Sequence, residues 1–147
     1  MRYSYNSFSE DMYSLKRQIK DSQWIPQIIV GVSRGGLIPG VCLSHEFDAK
    51  FVPLVWSTRD YAERHLPTIE TLLNIYSPML IVDDIIDTGI TMAEIEQAMK
   101  PNPFVKYASL LYNPVQKQCI PHYWARKIDR DLTNEWVNFW WENTDVN

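Results

Sequence analysis

Cysteine and glycine are scarce in this chain, and blocks of basic residues and long apolar runs are missing altogether. The two cysteines, Cys42 and Cys119, lie far apart and form no CxxC pair. A disulfide framework would need more of them, and a zinc site would need clustered ligands. His45, His65 and His122 are equally scattered, so both cysteines are expected to be reduced packing residues. No segment approaches the ~20 apolar residues that span a bilayer, and the first nine residues lack the apolar stretch of a signal peptide. With a net charge of −4 and no lysine/arginine cluster, nucleic acid is not an expected partner. The expectation is a soluble, cytoplasmic domain with no membrane partner. Only five of the 147 residues are glycine, which excludes collagen-like and linker classes. Four of the five (Gly31, Gly35, Gly36, Gly40) crowd together and Gly89 stands alone. Glycine serves where backbone bends sharply or approaches something closely, so this placement marks two short regions of interest.

What is present suits a single packed domain over 1–147, since 46% of the residues are hydrophobic. Met12, Leu15 and Ile19 recur at helical spacing and predict a helix over about 9–21. It would begin at a Ser7/Glu10 capping box, or at Ser9 with a Phe8/Tyr13 staple. Residues 27–32 are rich in β-branched side chains and read as a buried strand. Ser33-Arg34-Gly35-Gly36 interrupts it, and a helix over 37–47 follows. Residues 51–55 form a second strand, and 56–67 read as a long polar loop. Met79-Leu80-Ile81-Val82 is a third strand, ending at Asp83-Asp84. A helix to about Lys100 follows Asp87-Thr88-Gly89-Ile90-Thr91, with capping-box spacing at Thr91 and Glu94 and a stop at Pro101. Residues 107–112 are a fourth strand. This alternation predicts an α/β fold with a doubly wound parallel sheet. Four of the six tryptophans (Trp124, Trp136, Trp140, Trp141) fall in the tail, which reads as an aromatic appendage. The core is expected over about 9–112 and the appendage over about 113–142.

Two segments carry chemistry. Open α/β sheets bind ligands at the carboxyl ends of their strands. A strand ending in Asp83-Asp84 therefore puts carboxylates at that edge. The next helix start offers free backbone N–H groups suited to a phosphate, with Gly89 to let the backbone close and Thr88 and Thr91 as hydroxyl donors. A sugar phosphate has the matching polarity. Taken alone, the acidic pair also suits a Mg2+-dependent phosphoacceptor domain or an ordinary solvated strand end. The second segment, Ser33 to Gly36, is again a strand-to-helix turn with bare backbone, and Arg34 supplies a charged fork for phosphate oxygens. Taken alone, it is equally a tight turn that needs small residues.

The run Met79-Leu80-Ile81-Val82-Asp83-Asp84-Ile85-Ile86-Asp87-Thr88-Gly89-Ile90-Thr91 resembles the phosphoribosyl-pyrophosphate (PRPP) signature of type I phosphoribosyltransferases. Val32-Ser33-Arg34-Gly35-Gly36-Leu37-Ile38-Pro39-Gly40 resembles the pyrophosphate loop of their xanthine-guanine and hypoxanthine group, where the peptide after the serine is often cis. The tail segments at 121–124 and 135–142 resemble that group's C-terminal hood. The resemblance spans about 9–142. It implies a purine phosphoribosyltransferase, a pentosyltransferase of purine salvage, that joins the 5-phosphoribosyl group of PRPP to a 6-oxopurine (hypoxanthine, guanine or xanthine) with Mg2+ and releases pyrophosphate.

By the same resemblance, Asp83 and Asp84 hold the ribose hydroxyls and contribute to the Mg2+ site. Asp87, Thr88, Gly89, Ile90 and Thr91 cradle the 5-phosphate, and Asp87 also serves as general base. Ser33, Arg34, Gly35 and Gly36 hold the pyrophosphate, Trp136 stacks on the purine and the Val137 backbone contacts its edge. A mobile catalytic loop is implied within 56–70, where Ser57, Thr58, Arg59 and Arg64 stand. A homodimer or homotetramer is the implied assembly. Two positions depart: Trp140 stands where a proline is common, and Asn113, before Pro114, stands where the family usually has the lysine that donates to the purine 6-oxo group. Asparagine offers a donor and an acceptor without charge, so Asn113 is the candidate reader of the base, and adenine remains an alternative. Two other readings stay open, a non-catalytic PRPP-binding regulator and a receiver-like domain.

Overall fold

The computed structural model describes residues 1–59, 62–116 and 118–142. Residues 60 and 61 of the expected catalytic loop, residue 117 and residues 143–147 lie outside the described residues. Seven strands and four α-helices are present among those described: β1 (Arg2–Tyr3), α1 (Tyr5–Asp21), β2 (Ile28–Ser33), α2 (Leu37–Glu46), β3 (Lys50–Val55), α3 (Leu66–Leu73), β4 (Met79–Ile86), α4 (Ile90–Met99), β5 (Val105–Tyr112), β6 (Tyr123–Lys127) and β7 (Asn138–Phe139). Five of the strands form one parallel sheet in the order β3-β2-β4-β5-β6. From β2 the chain turns outward to β3 and then returns to lay β4 on the other side of β2. This reversal opens a crevice at the carboxyl ends of β2 and β4.

Helices cover both faces, as expected for a doubly wound sheet. On one face Leu15 and Ile19 of α1 and Leu43 of α2 pack with Ile29, Leu80 and Val82. On the other, Leu72 of α3 and Ile95 of α4 pack with Val30 and Ile81. All of these side chains have essentially no solvent exposure, and each contributes roughly 1.5–3 kcal/mol by burial.

Several boundaries differ from the sequence expectation. Helix α1 starts at Tyr5, not near residue 9, because Ser4 is its N-cap: its extended backbone places Oγ to accept the Ser7 N–H at 3.1 Å. The buried stripe accordingly begins at Phe8. Strand β4 runs through Asp83 and Asp84 to Ile86, because β5 continues alongside and pairs Asp83 with Ser109 and Ile86 with Tyr112. Helix α3 occupies residues where the loop was expected to end and beyond; Pro67 stands in its first turn, where its missing N–H does no harm. Helix α4 is capped by Gly89, with no side-chain cap bond, so Thr91 and Glu94 make no capping box and bond elsewhere. Finally, β6 joins the sheet beside β5, so Trp124 belongs to the sheet and packs on Tyr112.

The rest of the tail does form an aromatic layer. Strand β7 pairs in parallel with β1, while Trp140 and Trp141 pack edge-on to Phe8. A buried polar link ties the layers together. The Tyr3 hydroxyl donates to Asp11 at 2.7 Å and Arg126 of β6 donates to the same carboxylate at 3.0 Å. Burial is the main reason that the Tyr3 hydroxyl is held far above its ordinary pKa.

Candidate active site

The turns after β2 and β4 face each other across one cleft. A cavity of about 190 Å3 is lined by Ser33, Arg34 and Gly35 from the first turn and by Asp83 through Gly89 and Thr91 from the second. Every predicted PRPP-site residue except Gly36 and Ile90 lines it. Gly36 is buried beneath, where an added Cβ would lie 2.3 Å from the Val82 carbonyl oxygen and 2.8 Å from the Val32 nitrogen. That space is what lets the turn lie flat on β4. Ile90 opens α4 and is exposed. The Ser33–Arg34 peptide is cis. Gly89 has φ +78°, a left-handed conformation that glycine adopts without steric penalty; it turns the chain directly into the α4 N-terminus.

The carboxylates are not equivalent. As consecutive strand residues they leave opposite faces of the sheet. Asp83 lines only the cleft just described, and its Oδ1 accepts the Asp84 N–H at 2.9 Å. Asp84 also reaches a second cavity under the aromatic tail. Its carboxylate lies against bare Gly35 backbone, where a Cβ would meet Oδ2 at 1.9 Å. Burial raises both: Asp83 sits well above the usual carboxylate range, with the Asp84 charge adding to the effect, and Asp84 is pushed up to about 6. A site tuned this way gains by receiving hydroxyl donors or a cation. The described residues hold no group of three or more His, Cys, Asp or Glu side chains that could enclose a metal. One or two carboxylates completed by substrate oxygens is nevertheless a common Mg2+ arrangement, and Asp84 with Asp83 fits it.

The second cavity, about 180 Å3, lies between Asp84, Ile85 and Asp87 on one side and Trp136 and Val137 on the other. Trp136 is 60% exposed, whereas Val137 is buried. The tryptophan is thus largely accessible, with Arg59 lining the same cavity against its ring, and the valine fixes the backbone beside it. Asn113 does not line this cavity. It is 3% exposed, its Nδ2 donates to Asp87 Oδ1 at 3.2 Å and its Oδ1 accepts the Val115 N–H at 3.2 Å. The amide holds Asp87 from one end and a turn from the other.

Two arginines complete the site: Arg59, which the sequence placed only within the implied mobile loop, and Arg130, to which it gave no role. Arg130 forks onto Asp87: Nε lies 3.1 Å from both carboxylate oxygens and Nη2 lies 2.7 Å from Oδ2. Burial alone would raise the Asp87 pKa, but the Arg130 and Asn113 hydrogen bonds and the nearby positive charges together hold it below the usual range. Arg59 reaches from the loop after β3 and places its guanidinium 5.0 Å from the Trp136 ring centroid, a cation–π contact. The loop stems are anchored as well. Thr58 and Thr91 hydroxyls bond at 2.8 Å, while Glu94 accepts from Trp56 Nε1 at 3.0 Å and from Arg64 Nε at 2.8 Å. Arg64 is thus a stem residue, and Arg59 is the loop arginine of the site. No sequence signal marks Arg130: it lies in a polar stretch, 43 residues from Asp87.

Comparisons agree with this geometry. The phosphoribosyl transferase domain model matches residues 7–142. The chain is 27% identical to the xanthine-guanine phosphoribosyltransferase of Idiomarina loihiensis over 134 residues, covering 86% of this chain and 76% of that one. Among solved structures, the purine phosphoribosyltransferase of Pyrococcus horikoshii superposes with a TM-score of 0.72 at 23% identity, covering 100% of this chain and 97% of that one. The xanthine-guanine-hypoxanthine phosphoribosyltransferase of Helicobacter pylori gives 0.68 at 22%, covering 96% and 90%. At such identities the two structures speak to fold alone, and the family rests on the match that spans both strand-to-helix turns and the aromatic tail: the chain belongs to the phosphoribosyl transferase domain family, a family of pentosyltransferases.

Proposed function

We propose that the protein transfers the 5-phosphoribosyl group of PRPP to a 6-oxopurine and releases pyrophosphate, as a step of purine salvage. The observation that carries this reading is the pair of phosphate-type turns facing one cleft, with an accessible tryptophan lining the adjoining cavity. In the reaction a purine ring nitrogen forms a bond to ribose C1, and the C1–O bond breaks with its electron pair leaving on pyrophosphate. Positive charge builds on the ribose and negative charge on the leaving group.

Each residue then has a task that suits its surroundings. Arg34 and the amides of the Ser33–Gly36 turn meet the growing charge on pyrophosphate. Thr88, Gly89, Ile90 and Thr91 hold the 5-phosphate at the α4 N-terminus, where backbone N–H groups and the helix dipole favour an anion. Asp83 and Asp84 accept from the ribose hydroxyls. Bound Mg2+, held by these carboxylates together with PRPP oxygens, would neutralise part of the leaving-group charge. Trp136 stacks on the purine, which is worth roughly 1–3 kcal/mol, and the Val137 backbone borders its edge. Asp87 faces the ring N–H opposite the bond being made. Its lowered pKa suits a fixed acceptor that orients this N–H and passes the proton to solvent, more than a strong base. Arg59, which lines both cavities, helps to exclude water and so limits hydrolysis of PRPP. A homodimer or homotetramer accords with the family.

Incubation with PRPP, Mg2+ and each of hypoxanthine, guanine, xanthine and adenine is the direct test. Nucleotide and pyrophosphate should appear with at least one 6-oxopurine. PRPP binding without product from any purine would favour a non-catalytic regulator instead.

A further inference from the structure

We infer that Arg130 reads the purine 6-oxo group and makes this site select 6-oxopurines over adenine. The inference rests on the purine phosphoribosyltransferase reading above. Its starting point is Asn113, which is buried, bonded to Asp87 and to its own turn, and absent from the lining of the cavity beneath Trp136, so that it does not face a base held there. The same place in the fold holds a guanidinium. Arg130 has five N–H donors. Nε and one hydrogen of Nη2 serve Asp87, and one hydrogen of Nη1 serves the Glu135 carbonyl oxygen at 2.5 Å. One hydrogen on each terminal nitrogen is left over.

Arg130 lines the cavity beneath Trp136 beside Asp87 and Val137, and it also lines the neighbouring hollow that Asn113 borders. Its side chain is 21% exposed, so it is neither sealed in the core nor loose on the surface. The Asp87 fork and the Glu135 carbonyl hold the plane from two sides.

The polarity of this pair matches one edge of one class of base. On a purine, N7 and the 6-substituent are neighbours on the same edge. A 6-oxopurine carrying its proton at N7 presents a donor and then an acceptor there. Asp87 and Arg130 present an acceptor and then donors, side by side. Adenine puts an amino donor where Arg130 also donates, and burying two donors against each other leaves both unsatisfied. A polar site of this kind rejects the mismatched analogue more strongly than an apolar pocket rejects a change of size.

The test compares kcat/KM for hypoxanthine, adenine and unsubstituted purine, which has hydrogen at C6, in the wild type, Arg130→Met and Arg130→Lys. PRPP affinity, measured by calorimetry, reports whether the variants keep the fold. The wild type should favour hypoxanthine over both other bases. Arg130→Met should lower the hypoxanthine-to-purine ratio by about 10- to 100-fold, the scale of one good base-edge contact. Arg130→Lys should restore part of that ratio. Loss of the Asp87 partner acts on every base alike, so the ratio isolates contact with the 6-substituent. An unchanged ratio in Arg130→Met, or a wild type that uses adenine as well as hypoxanthine, would overturn the assignment and leave the transferase reading standing. A wild type that turns over no purine would overturn both.

Discussion

Asp84 and Asp87 are both carboxylates at the mouth of one cleft, and their surroundings drive them in opposite directions. Burial pushes Asp84 up to about 6, while Arg130 and Asn113 hold Asp87 low. Because the raised group is ionised only above about 6, PRPP affinity in the presence of Mg2+ should weaken as pH falls through that value. In the ligand-free protein the same shift favours the folded state on the acid side, and its contribution is lost as pH rises through about 6. Calorimetric titration between pH 5 and 7.5 checks the first effect; Asp84→Asn should flatten whatever part of the slope PRPP does not itself cause. Asp87→Asn should leave PRPP affinity within a few-fold and slow turnover by about 10²- to 10⁴-fold, the range for a positioned proton-transfer group. Single-turnover rates alongside PRPP titration separate these two effects.

At the scale of elements, the two strand-to-helix turns line one cleft, and adjacent glycines in one turn have distinct surroundings. A Cβ on Gly36 would meet backbone of β2 and β4 at 2.3–2.8 Å, whereas a Cβ on Gly35 would meet the Asp84 carboxylate. Backbone in a sheet centre cannot retreat cheaply. Gly36→Ala should therefore lower stability by about 2 kcal/mol or more, seen as a shifted urea midpoint. Gly35→Ala should displace Asp84, and its larger effect should be on PRPP affinity. Helix α1 offers a separate check at its first turn, since Ser4→Ala removes the cap on Ser7 N–H and should cost about 1 kcal/mol.

Across the whole molecule, the aromatic tail is held to the sheet through α1 and the first strand, so a change at Tyr3 should be felt in the base cavity. Tyr3→Phe keeps the ring packing against Phe139 but removes the hydroxyl donor from buried Asp11, leaving Arg126 as its partner. A loss of about 1–3 kcal/mol is expected, with faster hydrogen exchange in 136–142 than in β4. Equal protection of the tail in both proteins would show that the Tyr3 hydroxyl does not hold it.

The parallel sheet, the helices on both its faces and the two phosphate turns were legible in the chain itself, because each is a local pattern. Apolar periodicity, glycine placement and the Asp83–Thr91 run all lie within a dozen neighbouring residues. What escaped that reading depends on partners remote in sequence. Strand β6 is a strand because β5 offers it an edge, and β4 extends through two aspartates because β5 runs beside them. Asn113 stood in a position associated with base recognition, yet folding buries it behind Asp87 and outside the cavity beneath Trp136. Arg130 carries no local signature and gains its place only by folding back on Asp87. The two turns are written in contiguous residues because a single strand end and the helix start that follows it build each one. The base cavity is assembled from side chains of four separated segments, and such an assembly exists only once the chain has packed.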